Sequence, residues 1–260
     1  MQVQLHCSSL GDGEALIVLH GLFGSADNWA GMARRLATVR RVLRVDLRNH
    51  GRSPQINEMN YPAMAADVVQ LMERLHLRSA DLIGHSMGGK VAMELALGSP
   101  ERVRRLVAVD IAPRAYPPRH QDILAALNAL EPACFHSRSA IEKALAPAIP
   151  NVGVLRFLLK NLGRDGNGVL HWKLGLAEIS QNYIFLNEPI LGDRIFSGPA
   201  LLVRGELSDY VTEADVESFR ARFPAARVET IPGAGHWPHA ETPEYFASLV
   251  SSFLMLKDFS

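Results

Sequence analysis

Short apolar runs alternate with stretches of helical periodicity through the first 110 residues. The run ALIVLH at residues 15–20 follows the turn Gly11-Asp12-Gly13 and is typical of a buried strand. We predict further strands at residues 42–46, 81–84 and 105–110, and helices at residues 61–77 and 87–97. This alternation predicts a mostly parallel central sheet with helices on both faces.

The pattern changes between Pro113 and about Ser197, where prolines separate helical pieces such as residues 121–130 and 152–162 and no strand-like run is visible. The alternation then resumes, with strands predicted at residues 200–204 and 226–231 and helices at 213–223 and 242–256. We therefore assign residues 1–113 and 198–260 to an α/β core and residues 114–197 to a small helical cap insertion. The cap is expected over the carboxyl edge of the sheet, where open α/β sheets bind ligands.

Composition narrows the function classes. The chain has 260 residues, 48% hydrophobic and 21% charged, which is ordinary for a globular protein. Its 27 basic and 27 acidic residues balance, so nucleic acid is not a favoured partner. Cys7 and Cys134 lie in no metal-ligand pattern and are expected to be free thiols. With no secretory signal and no membrane-length apolar run, we expect a cytoplasmic protein without membrane partner, metal or cofactor.

The string Gly84-His85-Ser86-Met87-Gly88 matches G-x-S-x-G between a predicted strand and a predicted helix. A sharp strand-to-helix turn projects the Ser86 hydroxyl out of the backbone, and the crowded turn requires small flanking residues. The helix that follows points its N-terminus at the site and favours developing negative charge. Ser86 is therefore the predicted nucleophile.

A phosphate-binding loop is a competing interpretation of the same residues. Gly84 and Gly89-Lys90 have the spacing of a P-loop, but position 91 is Val91, where such a loop needs Ser or Thr to hold Mg²⁺. We therefore disfavour a nucleotide triphosphatase.

Acyl chemistry at Ser86 needs donors for an oxyanion. The glycine-containing loop that begins at His20 directly follows a predicted strand, and it can turn the Leu22 N–H toward the site. The Met87 N–H, directly after the nucleophile, is the second predicted donor of this oxyanion hole.

The general base is expected late in the chain, because the order on such a fold is serine, acid, histidine. His236 lies in a glycine-containing loop, GAGHW at residues 233–237, which follows a predicted strand. We predict His236 as the base. The nearby His239 is expected to make local contacts, and His85 to support the turn at Ser86.

The residues leave two alternatives for the acid. After the strand at residues 200–204, the position that usually carries the acid holds Ser208, and Asp209 comes one residue later. Asp110 ends the strand that neighbours the strand before Ser86, so its side chain is expected at the same edge. Either carboxylate could orient the His236 tautomer and stabilise the imidazolium.

The sequence resembles the α/β-hydrolase superfamily, and most closely the YbfF-type bacterial esterases. The resemblance runs the length of the chain and rests on these strings: HGLFGS (20–25), DLRNHG (46–51), NYPAM (60–64), GHSMGGK (84–90), VDIAP (109–113), FLLK (157–160) and GAGHWPHAE (233–241). It implies an α/β-hydrolase fold with a helical cap, and an acyl-ester or acyl-thioester hydrolase. It also implies Ser86, Asp110 and His236 as catalytic residues, with Ser208 hydrogen-bonded to them.

We expect a small-molecule ester or thioester substrate with an apolar acyl chain. Four aromatic side chains are candidates to line its pocket beside Leu22: Phe23, Tyr116, Tyr210 and Trp237. Three cationic side chains could meet coenzyme A phosphates, although cap cations are usually solvated: Arg114, Arg119 and Lys160. Two alternatives stay open, namely carbon–carbon bond hydrolysis or a lyase step on the same triad, and a ligand-binding module with a slow triad. The sequence does not indicate an oligomeric state.

Overall fold

A computed structural model describes residues 3–256; residues 1, 2 and 257–260, at the two ends of the predicted core, lie outside the described part of the chain. Seven of the strands described form one sheet in the order β1-β3-β2-β4-β5-β8-β9, and two form a separate hairpin. The strands are β1 Cys7–Leu10, β2 Ala15–Leu19, β3 Arg41–Val45, β4 Ala80–His85, β5 Val103–Val109, β6 Leu162–Arg164, β7 Leu170–Trp172, β8 Ala200–Gly205 and β9 Ala226–Ile231.

The sheet is parallel except for β1, which pairs antiparallel with β3 at one edge. Its strands alternate between two apolar layers, as the period of two requires. In β2, for example, Ile17 and Leu19 enter one core cluster, whereas Leu16 and Val18 enter the other. The fold class predicted from the sequence, a mostly parallel sheet between two layers of helices, is confirmed.

The helices are α1 Ala30–Leu36, α2 Tyr61–Arg74, α3 Met87–Gly98, α4 Gln121–Asn128, α5 Arg138–Leu145, α6 Val152–Leu159, α7 Leu176–Asn187, α8 Glu213–Arg222, α9 Pro238–Glu241 and α10 Pro243–Leu254. Helices α2, α3 and α8 pack on one face of the sheet, and α1 and α10 pack on the other. Hydrogen bonds to nearby side chains cap several of these helices. The Asn60 side chain, for example, accepts from the Ala63 N–H at the start of α2.

The segment between β5 and β8 contains helices α4 to α7, as expected for the predicted cap, but the expectation that it lacks strands is wrong. Strands β6 and β7 form an antiparallel hairpin there, and residues 160–162 leave the helix that was predicted to run to Leu162. The turn of the hairpin is closed by Asp165, whose side chain accepts from the Asn167 and Val169 N–H groups, both at 2.9 Å. Strands of three residues are too short to show a period of two.

Strand β1 was also missed by the sequence analysis. Its residues, CSSL, are half-buried or exposed and show no apolar alternation, because the strand lies at an edge of the sheet. No helix within residues 3–256 is both long and apolar enough to cross a membrane.

Candidate active site

Ser86 lies on the sharp turn between β4 and α3, with backbone angles φ 50° and ψ −119°. Its N–H donates to the Val109 carbonyl at 3.0 Å, which ties the turn to the end of the neighbouring strand β5. A non-glycine residue at positive φ is strained, and such strain persists only where the surroundings enforce it. The turn projects the Ser86 side chain into a cavity at the carboxyl edge of the sheet.

Glycines make this turn possible. A methyl group at Gly84 would overlap the Gly88 carbonyl, and one at Gly88 would lie 2.5 Å from the His20 carbonyl oxygen. Helix α3 therefore starts in direct backbone contact with the ends of its own strand and of β2. The glycines of the predicted motif serve this close approach.

Asp110 directly follows β5, is fully buried and also has a positive φ of 51°. Its Oδ2 lies 2.7 Å from His236 Nδ1 and also accepts from the Ser208 hydroxyl, while its Oδ1 accepts from the Gly205 N–H at 3.0 Å. Three donors therefore hold one carboxylate in a fixed orientation. Since Nδ1 of His236 donates to Asp110, its Nε2 is the nitrogen that carries no proton in the neutral ring and can accept one.

The other carboxylate that the sequence left open, Asp209, faces a different partner. Its Oδ1 forms an exposed ion pair with Arg119 Nη1 at 2.7 Å, and this pairing lowers the pKa of the Asp209 carboxyl. Of the two alternatives, the fold brings Asp110 to His236.

The His236 ring packs against two other rings. The ring of Tyr210 stacks on it with 3.7 Å between centroids, and the ring of His85 lies at 4.7 Å. His85 Nε2 donates to the His236 carbonyl at 2.7 Å. His85 therefore holds the backbone of the loop that carries His236 and also contacts the His236 ring. Burial, followed by the nearby His236, lowers the pKa of His85 well below its usual value, so His85 is a neutral donor.

His239, the competing histidine, makes local contacts. Its ring stacks on Trp29 with 4.2 Å between ring centres, and the ring centre of His85 lies 4.7 Å away. Burial lowers the pKa of His239 to about 3.

The loop after β2 places Leu22 beside Ser86. A methyl group at Gly21 would lie 3.3 Å from the Ser86 Cβ, so the two backbones are in close contact. Phe23, next in the loop, has φ 60°; its N–H donates to His50 Nε2 at 3.2 Å, and its carbonyl accepts from the Asn161 side chain at 2.8 Å. Leu22 and Met87, the two predicted oxyanion donors, line the same small cavity as Ser86.

Two buried histidines form hydrogen bonds to the loop after β2. His20 Nδ1 donates to the Gly21 carbonyl at 2.8 Å, and its Nε2 accepts from the Leu47 N–H at 3.0 Å. Burial lowers the pKa of His50 to about 3, so it stays neutral with Nε2 as an acceptor for the Phe23 N–H. The sequence analysis named the Asn49-His50-Gly51 segment only as part of the resemblance. The loop that His50 contacts, after β2, is distant from it in sequence.

Ser86 stands between two cavities. The larger, about 240 Å³, is mostly apolar, and three of the four predicted pocket residues, Phe23, Tyr210 and Trp237, line it. Tyr116, the fourth, lines the smaller cavity of about 40 Å³, together with Ser86 and Tyr210. The Tyr116 hydroxyl donates to the Tyr210 carbonyl and accepts from the Ala112 N–H, both at 2.8 Å.

The sequence analysis missed one wall of the larger cavity. Val154, Phe157 and Leu158 line it from α6, beside His120 and Ile123 of the cap. The spacing i, i+3, i+4 within α6 was the available signal, but it marks an apolar face without saying what that face covers.

The three cations considered for coenzyme A have different surroundings. Arg114 pairs with Asp215 at 2.7 Å, Arg119 pairs with Asp209, and Lys160 is exposed at the end of α6. Of the three, Arg119 lines both cavities at Ser86.

Comparisons with known proteins agree with this architecture. Residues 14–131 match the family model described as the alpha/beta hydrolase fold. The chain is 38% identical to esterase YbfF of Escherichia coli, covering 92% of both chains. It is 40% identical to the sn-1-specific diacylglycerol lipase ABHD11 of Xenopus tropicalis, covering 93% of this chain and 78% of that protein. Among solved structures, a marine microorganism esterase matches with a TM-score of 0.94 and 41% identity over 96% of this chain and 99% of that one.

This chain therefore belongs to the alpha/beta hydrolase superfamily. The family resemblance stated from the sequence motifs is confirmed.

Proposed function

We propose that this protein is a serine hydrolase that cleaves carboxylic esters, and acyl thioesters with them, through an acyl-enzyme intermediate. The observation that carries the proposal is the hydrogen bond between Asp110 and His236 Nδ1 beside the turn that projects Ser86. It leaves His236 Nε2 free to take the proton of a nucleophile. The relatives named as esterase and lipase support ester hydrolysis as the reaction class.

In the first step, the Ser86 Oγ attacks the acyl carbonyl carbon and its proton passes to His236 Nε2. The Leu22 and Met87 N–H groups hold the oxyanion that forms. The imidazolium then gives its proton to the leaving alcohol or thiol as the carbon–oxygen or carbon–sulfur bond breaks. Asp110 stays ionised and stabilises the imidazolium, while Ser208 donates to the same carboxylate oxygen.

Deacylation repeats these steps with water. His236 takes a proton from a water molecule, whose oxygen attacks the acyl carbon, and then returns it to the Ser86 oxygen as the acid departs. The larger cavity, lined by Phe23, Trp237 and the α6 face, supports an apolar acyl chain as the group bound beside Ser86.

The test is the initial rate of hydrolysis of 4-nitrophenyl esters from short to long acyl chains, together with acyl-CoA thioesters. Ser86→Ala should lower kcat by roughly 10⁶. Ser139→Ala, which changes an exposed serine of α5, is the matched control. A fluorophosphonate probe should label the wild type and the control at Ser86, and leave Ser86→Ala unlabelled.

Two results would replace the proposal. Labelling of Ser86 without turnover of either ester series would favour carbon–carbon bond hydrolysis or a lyase step. The absence of both labelling and turnover would favour a ligand-binding module.

A further inference from the structure

Lys90 is buried beside the candidate active site, and the proposed mechanism does not use it. It lies on α3 one helical turn after Ser86, and only 1% of the residue is exposed. The Lys90 N–H donates to the Ser86 carbonyl at 3.1 Å, which ties Lys90 to the turn that carries Ser86. Both line the smaller cavity of about 40 Å³.

The surroundings of the Lys90 ammonium are polar but carry no counter-charge at ion-pair distance. Its Nζ donates to the Glu188 carbonyl at 2.6 Å and lies 5.1 Å and 5.0 Å from the ring centres of Tyr61 and Tyr116. Within residues 3–256, no carboxylate forms an ion pair with Lys90, and Glu188, whose negative charge raises the pKa of Lys90, is exposed.

Among residues 3–256, the wall of the cavity holds cations and no carboxylate. Arg119, which pairs with Asp209, is a second cation there, and no Asp or Glu of the described chain lines the cavity. The Tyr183 and Asn187 side chains add further polar groups to its wall. One water molecule needs about 10–15 Å³ of cavity volume. The cavity of about 40 Å³ therefore has room for about three atoms of that size, and a carboxylate group has three heavy atoms.

A buried ammonium without a counter-ion is costly, and the protein responds by losing the proton or by binding an anion. Burial, and then the charge of Arg114, lowers the pKa of Lys90 to about 7. A bound anion would remove the cost of the charged form. The geometry therefore favours an anionic occupant next to the nucleophile.

We propose that the smaller cavity is a subsite for a carboxylate of the substrate, with the Lys90 ammonium as its counter-charge. This inference rests on the proposed ester hydrolysis, and it narrows the substrates to esters that bear a carboxylate a few bonds from the scissile carbonyl. The larger cavity takes the apolar remainder of the same molecule.

The kinetic test compares two pairs of near-isosteric esters by acid release in a pH-stat. Monomethyl succinate against methyl levulinate places the carboxylate on the acyl side, and O-butyryl glycolate against acetonyl butyrate places it on the alcohol side. A charge-assisted hydrogen bond in a buried site predicts at least about a tenfold higher kcat/KM for the charged member of one pair. The pair that shows the preference identifies the side that occupies the subsite.

Lys90→Met keeps the length of the side chain and removes the charge. The charged-to-neutral ratio of kcat/KM should fall to about 1 or below in this variant. Lys143→Met, which changes an exposed lysine of α5, should keep the wild-type ratio. Measurable but equal rates within both wild-type pairs would overturn the proposal, and so would a ratio that Lys90→Met leaves unchanged.

A binding measurement separates this inference from the proposed hydrolysis. Calorimetric titration of Ser86→Ala with monomethyl succinate and O-butyryl glycolate needs no turnover. Binding of either one that is lost in Ser86→Ala/Lys90→Met would uphold the anion subsite even if none of the four esters were hydrolysed. Hydrolysis of all four without charge preference would uphold the proposed function and reject the subsite.

Discussion

The ring of Tyr210 lies nearly parallel to the imidazole of His236, with 3.7 Å between the ring centres and 18° between the planes. The guanidinium of Arg119 covers the Tyr210 ring at 4.8 Å. An aromatic face attracts a cation, so the Tyr210 ring lies where it can stabilise positive charge on the His236 ring. In the proposed mechanism, that charge arises when His236 takes the serine proton.

This stacking predicts that Tyr210→Leu lowers kcat for ester hydrolysis. A cation–π contact of about 0.5–2 kcal/mol corresponds to roughly a 2- to 30-fold loss. Tyr210→Phe keeps the aromatic face and should restore most of the rate. Steady-state kinetics on one 4-nitrophenyl ester measures all three proteins. If Tyr210→Phe were as slow as Tyr210→Leu, the hydroxyl of Tyr210 and not its ring face would account for the loss of kcat.

Asp110→Asn should cost about 10⁴ in kcat, because an amide would hold His236 in the wrong tautomer. Asp209→Asn is the matched control, since its exposed ion pair with Arg119 is worth about 0–1 kcal/mol, or less than about fivefold. The measurement is kcat at saturating ester. If Asp110→Asn kept the wild-type kcat and Asp209→Asn were inactive, Asp209 would be the acid that pairs with His236.

Ser208→Ala removes one of the three donors to the Asp110 carboxylate. A hydrogen bond to a charged group contributes about 1.5–3 kcal/mol, so we expect a 10- to 150-fold loss of kcat. Because Ser208 acts through Asp110, its loss should have little further effect in an Asp110→Asn background. Full additivity in this double-mutant cycle would show that Ser208 acts by a separate route.

The fold and the candidate nucleophile could be predicted from local patterns. Apolar runs of four to six residues and the G-x-S-x-G string at Ser86 each carry their meaning within one short segment. The residues alone left the candidate acid open, because a loop offset of one position decides whether a side chain turns inward. In the fold, Ser208 turns inward to Asp110, and Asp209 turns out to Arg119.

Other features depend on contacts between distant segments. Lys90 entered the sequence analysis only within two strings, one that resembles a P-loop and one that carries the family resemblance. Its burial results from Tyr61, Tyr116 and Glu188, which come from three other segments of the chain. No periodicity within α3 reports such contacts.

Asp81 should be important for stability, because it is fully buried between three arginines. Its carboxylate lies 2.8 Å from Arg40, 3.3 Å from Arg104 and 3.6 Å from Arg105. Asp81→Asn removes the fully buried carboxylate of this cluster and leaves the exposed Glu14 to pair with Arg40 and Arg104, so it should cost about 3–5 kcal/mol. At about 2–4 °C per kcal/mol, Tm should fall by roughly 6–20 °C.

The control for Asp81→Asn is an ion pair at the surface. Arg35 and Glu244 lie 2.5 Å apart, but their side chains are 43% and 74% exposed. Glu244→Gln should therefore change the free energy of unfolding by less than about 1 kcal/mol. Thermal unfolding followed by circular dichroism measures both variants. Equal shifts in Tm would contradict the importance of the buried cluster.

His239 should make the stability of the protein depend on pH below neutrality. It is stacked on Trp29 and faces His85 and Phe246, and burial, followed by the nearby His236, lowers its pKa from 6.5 to about 3. Above pH 6.5, neither the folded nor the unfolded form binds a proton at this ring. Between pH 6.5 and 3, the unfolded chain binds one and the folded chain does not, so the free energy of unfolding falls as pH falls.

The contribution of this one group is at most about 1.4 kcal/mol per pH unit. His239→Gln removes the titration, so its free energy of unfolding should fall less steeply than that of the wild type. Urea unfolding between pH 7 and about 4.5 measures the slope, and His171→Gln, at an exposed position in β7, is the matched control. A wild-type slope in His239→Gln would mean that the ring is already protonated in the folded protein.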